Sequence, residues 1–417
     1  MSRFPKISET FILYEMIALK DLGADVEVFP LLREQQKVVH GEAKAIVEGA
    51  HFHPFLSLPI VRAHLHFLRR RPRAYLKVFL EVLKGTLGSI NFFVGALGVL
   101  PKSVLFAKEM MGLGITHIHA HFATHPAVAA LIIHRLTGIS FSFTAHGSDL
   151  HVERRMLTKK VESASFVVAV SSYNKELIIR ECGEKFRDKI HVVHCGIDPE
   201  VFNPRLRYGD IDPFQILCVA SFEEVKGHRH LIEACKVVRK RGLRFMCHLV
   251  GEGHLRREIE HLVKQAGLQD QVRFHGALTR DEVANLLTRV DVKVLASVPT
   301  KNGKREGIPV ALMEAMASGL PVVASRLSGI PELVKNDQSG ILIEPGDSLS
   351  IADALQRLQR DLPLRRKLGF AGREHVLREF NLLRCAGKLA ALFKNSNGKC
   401  RELFKRSRSS TVVEQES

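Results

Sequence analysis

Two glutamates separated by seven residues, Glu306 and Glu314, flank a helix start in the stretch REGIPVALMEAMASGLPVVAS, Arg305–Ser325. Pro309 suits the first helical position, because its missing N–H would have no partner there anyway. Gly319 followed by Pro321 stops the helix. The amides of Val310 and Ala311 then form a positive helix N-terminus that suits an anion. Glu314 lies one turn on, leaning back toward that N-terminus among apolar neighbours. A carboxylate there is costly unless hydrogen-bonded, and ligand hydroxyls would satisfy it. Glu306, with Gly307 and Ile308, sits in the loop before the helix, at the carboxyl end of a sheet, where open α/β folds bind ligands. The plainer reading is a solvated loop glutamate and a helix glutamate paired with a local lysine.

Three further places carry chemistry. SFEEVKGH, Ser221–His228, leads from a strand into a helix, and Lys226 beside Gly227 has the reach to hold a phosphate as a point charge, unless it is only a surface lysine at a turn. Gly251 and Gly253 follow the next strand and allow a close backbone approach to a ligand. TAHGSDL, Thr144–Leu150, puts His146 at the end of a strand, where it faces a ligand or serves as a structural hydrogen-bonder. His117, His119 and His121 alternate and so share one face of a strand. Zinc is one reading of that trio, and a strand-end structural role with one histidine near the site is the better one.

The elements that must position these residues follow a repeating strand–helix pattern, which indicates parallel α/β architecture in both halves. Strands are expected at Asp25–Phe29, Thr116–Ala120, Ser140–Thr144 and Phe166–Ser171, then at Gln215–Ala220, Phe245–Val250, Val272–His275, Val292–Ala296 and Pro321–Ala324. Residues 55–110 interrupt the rhythm with helical sequence dense in Arg, Lys, Leu and Phe. Prolines and aspartates cluster at Asp198–Pro213, the expected linker. We expect an amino-terminal domain over 1–205, a second domain over 206–375, a returning helix over 376–394 and a disordered polar tail over 395–417.

With 417 residues, two domains are the first expectation. A formal charge of +17, shared between the halves, calls for an anionic partner: a membrane surface, a nucleic acid or phosphorylated small molecules. Seven unspaced cysteines suit reduced thiols in the cytoplasm. No cleavable signal peptide is read at the start. The longest apolar run, Leu87–Leu100, falls short of the ~20 residues of a spanning helix, so the chain reads as non-spanning. A nucleic-acid role lacks a reader motif, with no Trp and four Tyr.

The paired-glutamate stretch, VKGH at Val225–His228, HVVHCGIDPEVFNP at His191–Pro204 and FPKISETFI at Phe4–Ile12 resemble retaining glycosyltransferases of family four, which have the GT-B fold. The last of these is similar to members that build bacterial exopolysaccharides such as colanic acid. The resemblance reaches to about residue 394 and implies two Rossmann-like domains facing across a cleft, with a carboxy-terminal helix crossing back. It implies a nucleoside-diphosphate sugar of UDP or GDP type as donor, a saccharide or lipid-linked acceptor, no metal or other cofactor, and work at the cytoplasmic membrane face. By resemblance His146 and Glu306 meet the donor sugar at the reacting centre, and Glu314 holds the ribose. Lys226 and the amides of Val310 and Ala311 hold the diphosphate, with Ser221, Gly251, Gly253, Gly307 and Ile308 lining the donor site. Ser8, a candidate N-cap, with Glu9, Thr10 and His121, falls on the acceptor side. The Arg-rich segment His64–Lys84 would hold the protein near anionic lipids, unless it is a solvated helix face.

Two departures stand out. Ser221 occupies a position where the family often carries an arginine, with Arg305 as one possible substitute. Only Met1–Arg3 precedes FPKISETFI, so the family's first strand is expected to be missing. Two rival readings are a sugar phosphorylase, for which no phosphate or pyridoxal site is found, and a catalytically inactive membrane-associated partner subunit.

Overall fold

The computed structural model describes residues 1–5, 9–34, 43–55, 57–202 and 212–396. The chain forms two compact units, one of Met1–Val193 with the chain from Cys385 onward, the other of His194–Arg384. The division follows the contacts of residues 194–202. The Ile197 N–H donates to the Phe380 carbonyl, the Leu382 N–H to that of Ile197, and Arg373 to that of Phe202. Those residues therefore belong with the second unit, and the border lies before residue 205 and after residue 375. The expected linker's residues 203–211, and the tail from residue 397, lie outside the described residues. Asn395 and Ser396 close the helix Leu382–Ser396, whose Phe393 packs on His117, His119 and Phe166.

In the first unit, strands β1 (Arg3–Phe4) and β2 (Leu32–Arg33) form a small parallel pair of their own. Strands β3 (His117–His121), β4 (Ser140–Ala145), β5 (Phe166–Ala169) and β6 (Ile190–Val192) form a parallel sheet in that order. Asp25–Phe29 is not a strand. The available partner, β1, faces residues 31–34, and Val28 instead offers its carbonyl to the His51 N–H. So a first strand is present, but it is two residues long and stands outside the main sheet. Residues 58–112 are three helices, Leu58–Arg70, Pro72–Thr86 and Ile90–Gly112. The last does not stop with the apolar run at Leu100 but continues past Pro101. It has 23 residues and by length and composition is long enough to cross a membrane. Eleven of its 23 residues are buried, with Phe92, Ala96, Val104, Phe106 and Ala107 packed into the first unit's core.

The second unit has β7 (Phe214–Val219), β8 (Phe245–Val250), β9 (Val272–Gly276), β10 (Val292–Leu295), β11 (Val322–Ser325) and β12 (Ile341–Ile343). All pairings are parallel, in the order β12-β11-β10-β7-β8-β9. The central strands are continuous buried runs such as VVAS, as expected where helices cover both faces. One core lies on each face. The strand order reverses between β7 and β10, so the loops leaving these two strands diverge at a switch point. Both carry candidate site residues.

Candidate active site

At the second unit's switch point, Lys226 ends a short 3-10 turn after β7 and Glu306 lies in the loop after β10. Their side chains meet at 2.5 Å although eighty residues separate them, and both are mostly buried. Gly227 makes this approach possible. Its φ is +67°, and a Cβ there would stand 1.8 Å from the Ala296 carbonyl oxygen. The β7 loop can lie against the end of β10 only with glycine at that position.

The helix begins at Val310, one residue later than expected, with Pro309 as its N-cap at φ −72°. The Pro309 carbonyl accepts the Leu312 N–H, and the Val310 and Ala311 amides precede any intrahelical acceptor. Gly307 and Ile308 lead into this start, and Ile308 packs on the core beneath it. Glu314 is crowded by protein, and burial pushes its carboxyl up to about 7. The charges of Lys293 and Arg280 oppose that rise. Lys293 is a fully buried lysine of β10 that burial pulls down to about 8.

Gly251 and Gly253 lie against the chain's own backbone. A Cβ on Gly251 would meet the Ala220 carbonyl oxygen at 2.2 Å, and one on Gly253 the Phe222 backbone. They therefore let the β8 loop pack on the β7 loop. The Ser221 hydroxyl donates to Glu223 (3.3 Å), whose other oxygen meets Lys304 at 2.5 Å. Lys304, which the sequence reading did not single out, is thus a cation of the loop after β10 that reaches Glu223 in the loop beginning with Ser221.

In the first unit, His146 follows β4 and lies among Phe11, Phe122 and His121, with ring centroids 5.0, 4.7 and 5.4 Å away. Burial pulls its pKa down to about 3. Phe122 holds φ at +76°, a costly conformation for a non-glycine residue that tends to occur at functional sites. The His146 loop is fixed by Asp149, which sequence reading passed over. One carboxylate oxygen accepts the His146 and Gly147 amides at 3.0 and 2.8 Å, and the other accepts the Ala123 amide at 2.6 Å. Lys160 donates to the Ala123 carbonyl and, at 2.8 Å, to that of Arg155. The only signal for Asp149 was its place three residues past His146.

The histidine trio divides. His117 meets the hydroxyls of Ser140 and Ser142, and His119 those of Ser142 and Thr144, all at 2.7–2.8 Å across the β3–β4 register. His121 turns to His146, with Nδ1 3.2 Å from its Nε2. Burial keeps all three neutral at pH 7, His117 at about 4 and the others well below their usual value. One donor atom each of Glu15, His119 and His121 lies within 4.8 Å of the others. Both nitrogens of His119 already meet hydroxyls and one of His121 meets His146, so a cation would have to break that hydrogen-bonded ladder. The N-cap of the helix Thr10–Asp21 is Glu9, with Thr10 its first residue, while Ser8 lies outside the described residues. That helix brings Phe11 and Glu15, one turn apart, to His146 and His121.

Comparison with known proteins places this geometry. The family model for glycosyl transferases group 1 matches residues 210–375, and the Glycosyltransferase Family 4 model matches residues 72–201. A putative colanic acid biosynthesis glycosyltransferase of Salmonella typhimurium is 36% identical over 94% of this chain and 98% of its own. An amylovoran biosynthesis glycosyltransferase of Erwinia amylovora is 31% identical over 91% of this chain and 94% of its own. Among solved structures, an Anabaena protein in complex with UDP and glucose superposes with a TM-score of 0.60 at 19% identity, covering 70% of this chain and 80% of its own. That likeness shows the fold alone, which is GT-B. The chain belongs to the family-four glycosyltransferases, and it is a sugar-transferring enzyme of exopolysaccharide biosynthesis.

Proposed function

We propose that the second unit binds a nucleoside-diphosphate sugar of UDP or GDP type, and that the sugar passes to a saccharide or lipid-linked acceptor with retention of configuration. The observation that carries this is the Lys226–Glu306 pair at the switch point of a parallel sheet, with Glu306 in the loop that leads to the helix start at Val310. A diphosphate competes with Glu306 for Lys226, and the displaced carboxylate is then available to sugar hydroxyls. Charge building on the leaving diphosphate is met by the ammonium and the helix N-terminus, fixed groups that do the work of a metal ion. Glu314, poised near 7 by burial, accepts ribose hydroxyls when ionised. Lys304 offers a second cation where Ser221 stands in place of an arginine. The UDP held by the Anabaena structure supports the donor class. The test is thermal stabilisation by UDP-, GDP- and ADP-sugars, with Glu314→Ala as the comparison.

We further propose that the enzyme works as a peripheral protein at the cytoplasmic membrane face. Leu58, Val61, Leu65 and Leu68 recur at helical spacing on one helix and are all exposed, and Ile90 and Val94 repeat the pattern on another. Arg62, Arg69, Arg70 and Arg73 lie in the same segment. An exposed apolar stripe fringed by arginine suits an anionic bilayer surface. The chain should float with vesicles containing phosphatidylglycerol and not with pure phosphatidylcholine, and Leu65→Glu with Ile90→Glu should abolish flotation. Equal recovery with both vesicle types would remove the charge argument, and flotation unchanged in the variant would remove the apolar one.

A further inference from the structure

Strand β10 carries a lysine inside an apolar pattern, VKVL, and that residue has no exposed surface. Lys293 Nζ is buried and has no hydrogen-bond partner among the described residues. An unpartnered ammonium inside a core is costly, and folding alone is better served there by leucine or methionine. The strand pairings show which way the side chain points. Val292 and Val294 belong to one core of the second unit, and Leu295 belongs to the other. Side chains alternate between the faces of a strand, so Lys293 shares the face of Leu295. Its register partners Leu217 and Val322 lie in that same core, with Leu312, Met313, Ala315 and Met316 of the helix Val310–Ala317. Lys293 therefore points from the sheet toward the helix that carries Glu314.

The two groups also match in depth. β10 and β11 are parallel, so the helix between them runs back antiparallel to β10. Glu314 is four residues from the helix start, about 6 Å along its axis. Lys293 is two residues back from the end of β10, about 7 Å. Glu314 is partly open and Lys293 is closed off. After burial, which raises Glu314, the charge of Lys293 acts on it most strongly, and that of Arg280 next. Arg280 lies over the Phe202 ring, 5.4 Å from its centroid. The helix Leu362–Glu379 brings Arg373, which donates to the Ala317 carbonyl at the far end of the Glu314 helix. β11 carries no ionisable group. At Lys293, burial disfavours the charged amine, Cys218 and Glu314 favour it, and Lys226 opposes it.

We propose that Lys293 is the fixed counter-charge of Glu314, a positioning residue that keeps this carboxylate an acceptor for the donor's ribose hydroxyls without touching the donor. This rests on the reading that Glu314 meets the ribose. An ionised carboxylate offers two acceptor oxygens to a pair of hydroxyls, whereas a protonated one turns an oxygen into a competing donor. Burial raises Glu314 to about 7 and lowers Lys293 to about 8, so at neutral pH the amine is mostly charged and the carboxyl half ionised. Without Lys293 the effect of burial is less opposed, and the Glu314 midpoint moves up.

The experiment is carbon-13 NMR of the full chain labelled at the glutamate carboxyl, with the Glu314 signal identified by its loss in Glu314→Gln. Wild type should titrate at about 7, and Lys293→Met and Lys293→Gln at least one pH unit higher. Kinetics should follow. The donor KM should rise about fivefold at pH 7 in both variants and return to the wild-type value above pH 9, with kcat changed less than about twofold. In a Glu314→Gln background, Lys293→Met should change nothing further. Lys236→Met, at an exposed lysine of the same unit, should leave the profile in place. The urea midpoint should hold or rise, because a buried charge is removed. A Glu314 titration unmoved in both variants, or a KM effect that is equal at every pH or persists in Glu314→Gln, overturns the proposal. A lower urea midpoint with an unmoved titration makes the lysine structural and overturns it too. Failure of the donor reading shows separately, as absence of nucleotide-induced stabilisation in wild type while the Glu314 titration still moves in the variants.

Discussion

Lys226→Ala is expected to lower sugar transfer by roughly 10²–10³-fold, the usual effect of removing one fixed group that meets charge developing on a leaving oxygen. Two effects add. The diphosphate loses a cation that the sheet and Gly227 hold in place, and Glu306, mostly buried, loses the partner that neutralises it. An uncompensated carboxylate beside the phosphate site repels the donor as well. The double variant Lys226→Ala, Glu306→Gln separates these contributions, because it removes the repulsion and leaves the lost cation. Its donor affinity should exceed that of Lys226→Ala alone, with kcat still low. Transfer within threefold of wild type in Lys226→Ala would show that the pair is structural.

The second large effect is acid unfolding. His117 titrates at about 4 and His146 at about 3 in the folded chain, and His119 and His121 are also well below their usual value, in each case because burial disfavours the charged ring. Unfolded, these rings bind protons near pH 6.5. Folded-state values below unfolded ones mean that stability is full above about pH 6.5 and is lost as pH falls toward 4. His117 and His146 each cost about 2 kcal/mol by pH 5, and His119 and His121 act in the same direction. Glu15 works in the opposite sense. Raised to about 8, it strengthens folding as pH falls from there, by about 3 kcal/mol between pH 7 and pH 5. The four rings outweigh Glu15, so the ladder lowers stability as the pH falls below about 6.5. Urea unfolding at pH 7, 6 and 5 measures it directly, and equal midpoints at pH 7 and pH 5 would contradict the buried neutral ladder.

The fold was largely legible because parallel strands buried on both faces are apolar runs, and the loops at their ends carry the proposed site residues. Lys226, Glu306 and Glu314 were readable from residue type and spacing, but the Lys226–Glu306 contact was not, since nothing local records which side chain meets a loop eighty residues away. For the same reason Asp149 was passed over: one of its partners, the Ala123 amide, lies on the neighbouring strand's loop. Gly251 and Gly253 drew attention for the right property, close backbone approach, with the chain's own loop as the neighbour. Asp25–Phe29 failed as a strand because pairing is set by the partner, and β1 aligned with Leu32–Arg33. The apolar run was read as Leu87–Leu100, and the helix it belongs to continues through Pro101 to Gly112. Lys293 was invisible in an apolar strand pattern, VKVL, and its burial near the charge of Glu314 emerges only in three dimensions.

The measurement that bears most directly on the central claim is the change in thermal unfolding of wild type and Glu314→Ala with UDP-, GDP- and ADP-sugars. The account predicts a rise in Tm with one donor class, about 2.7 kcal/mol of added stability at a hundredfold excess over Kd. It predicts that the rise disappears in Glu314→Ala. No rise with any nucleotide-sugar, or an equal rise in the variant, would contradict the assignment of the donor site.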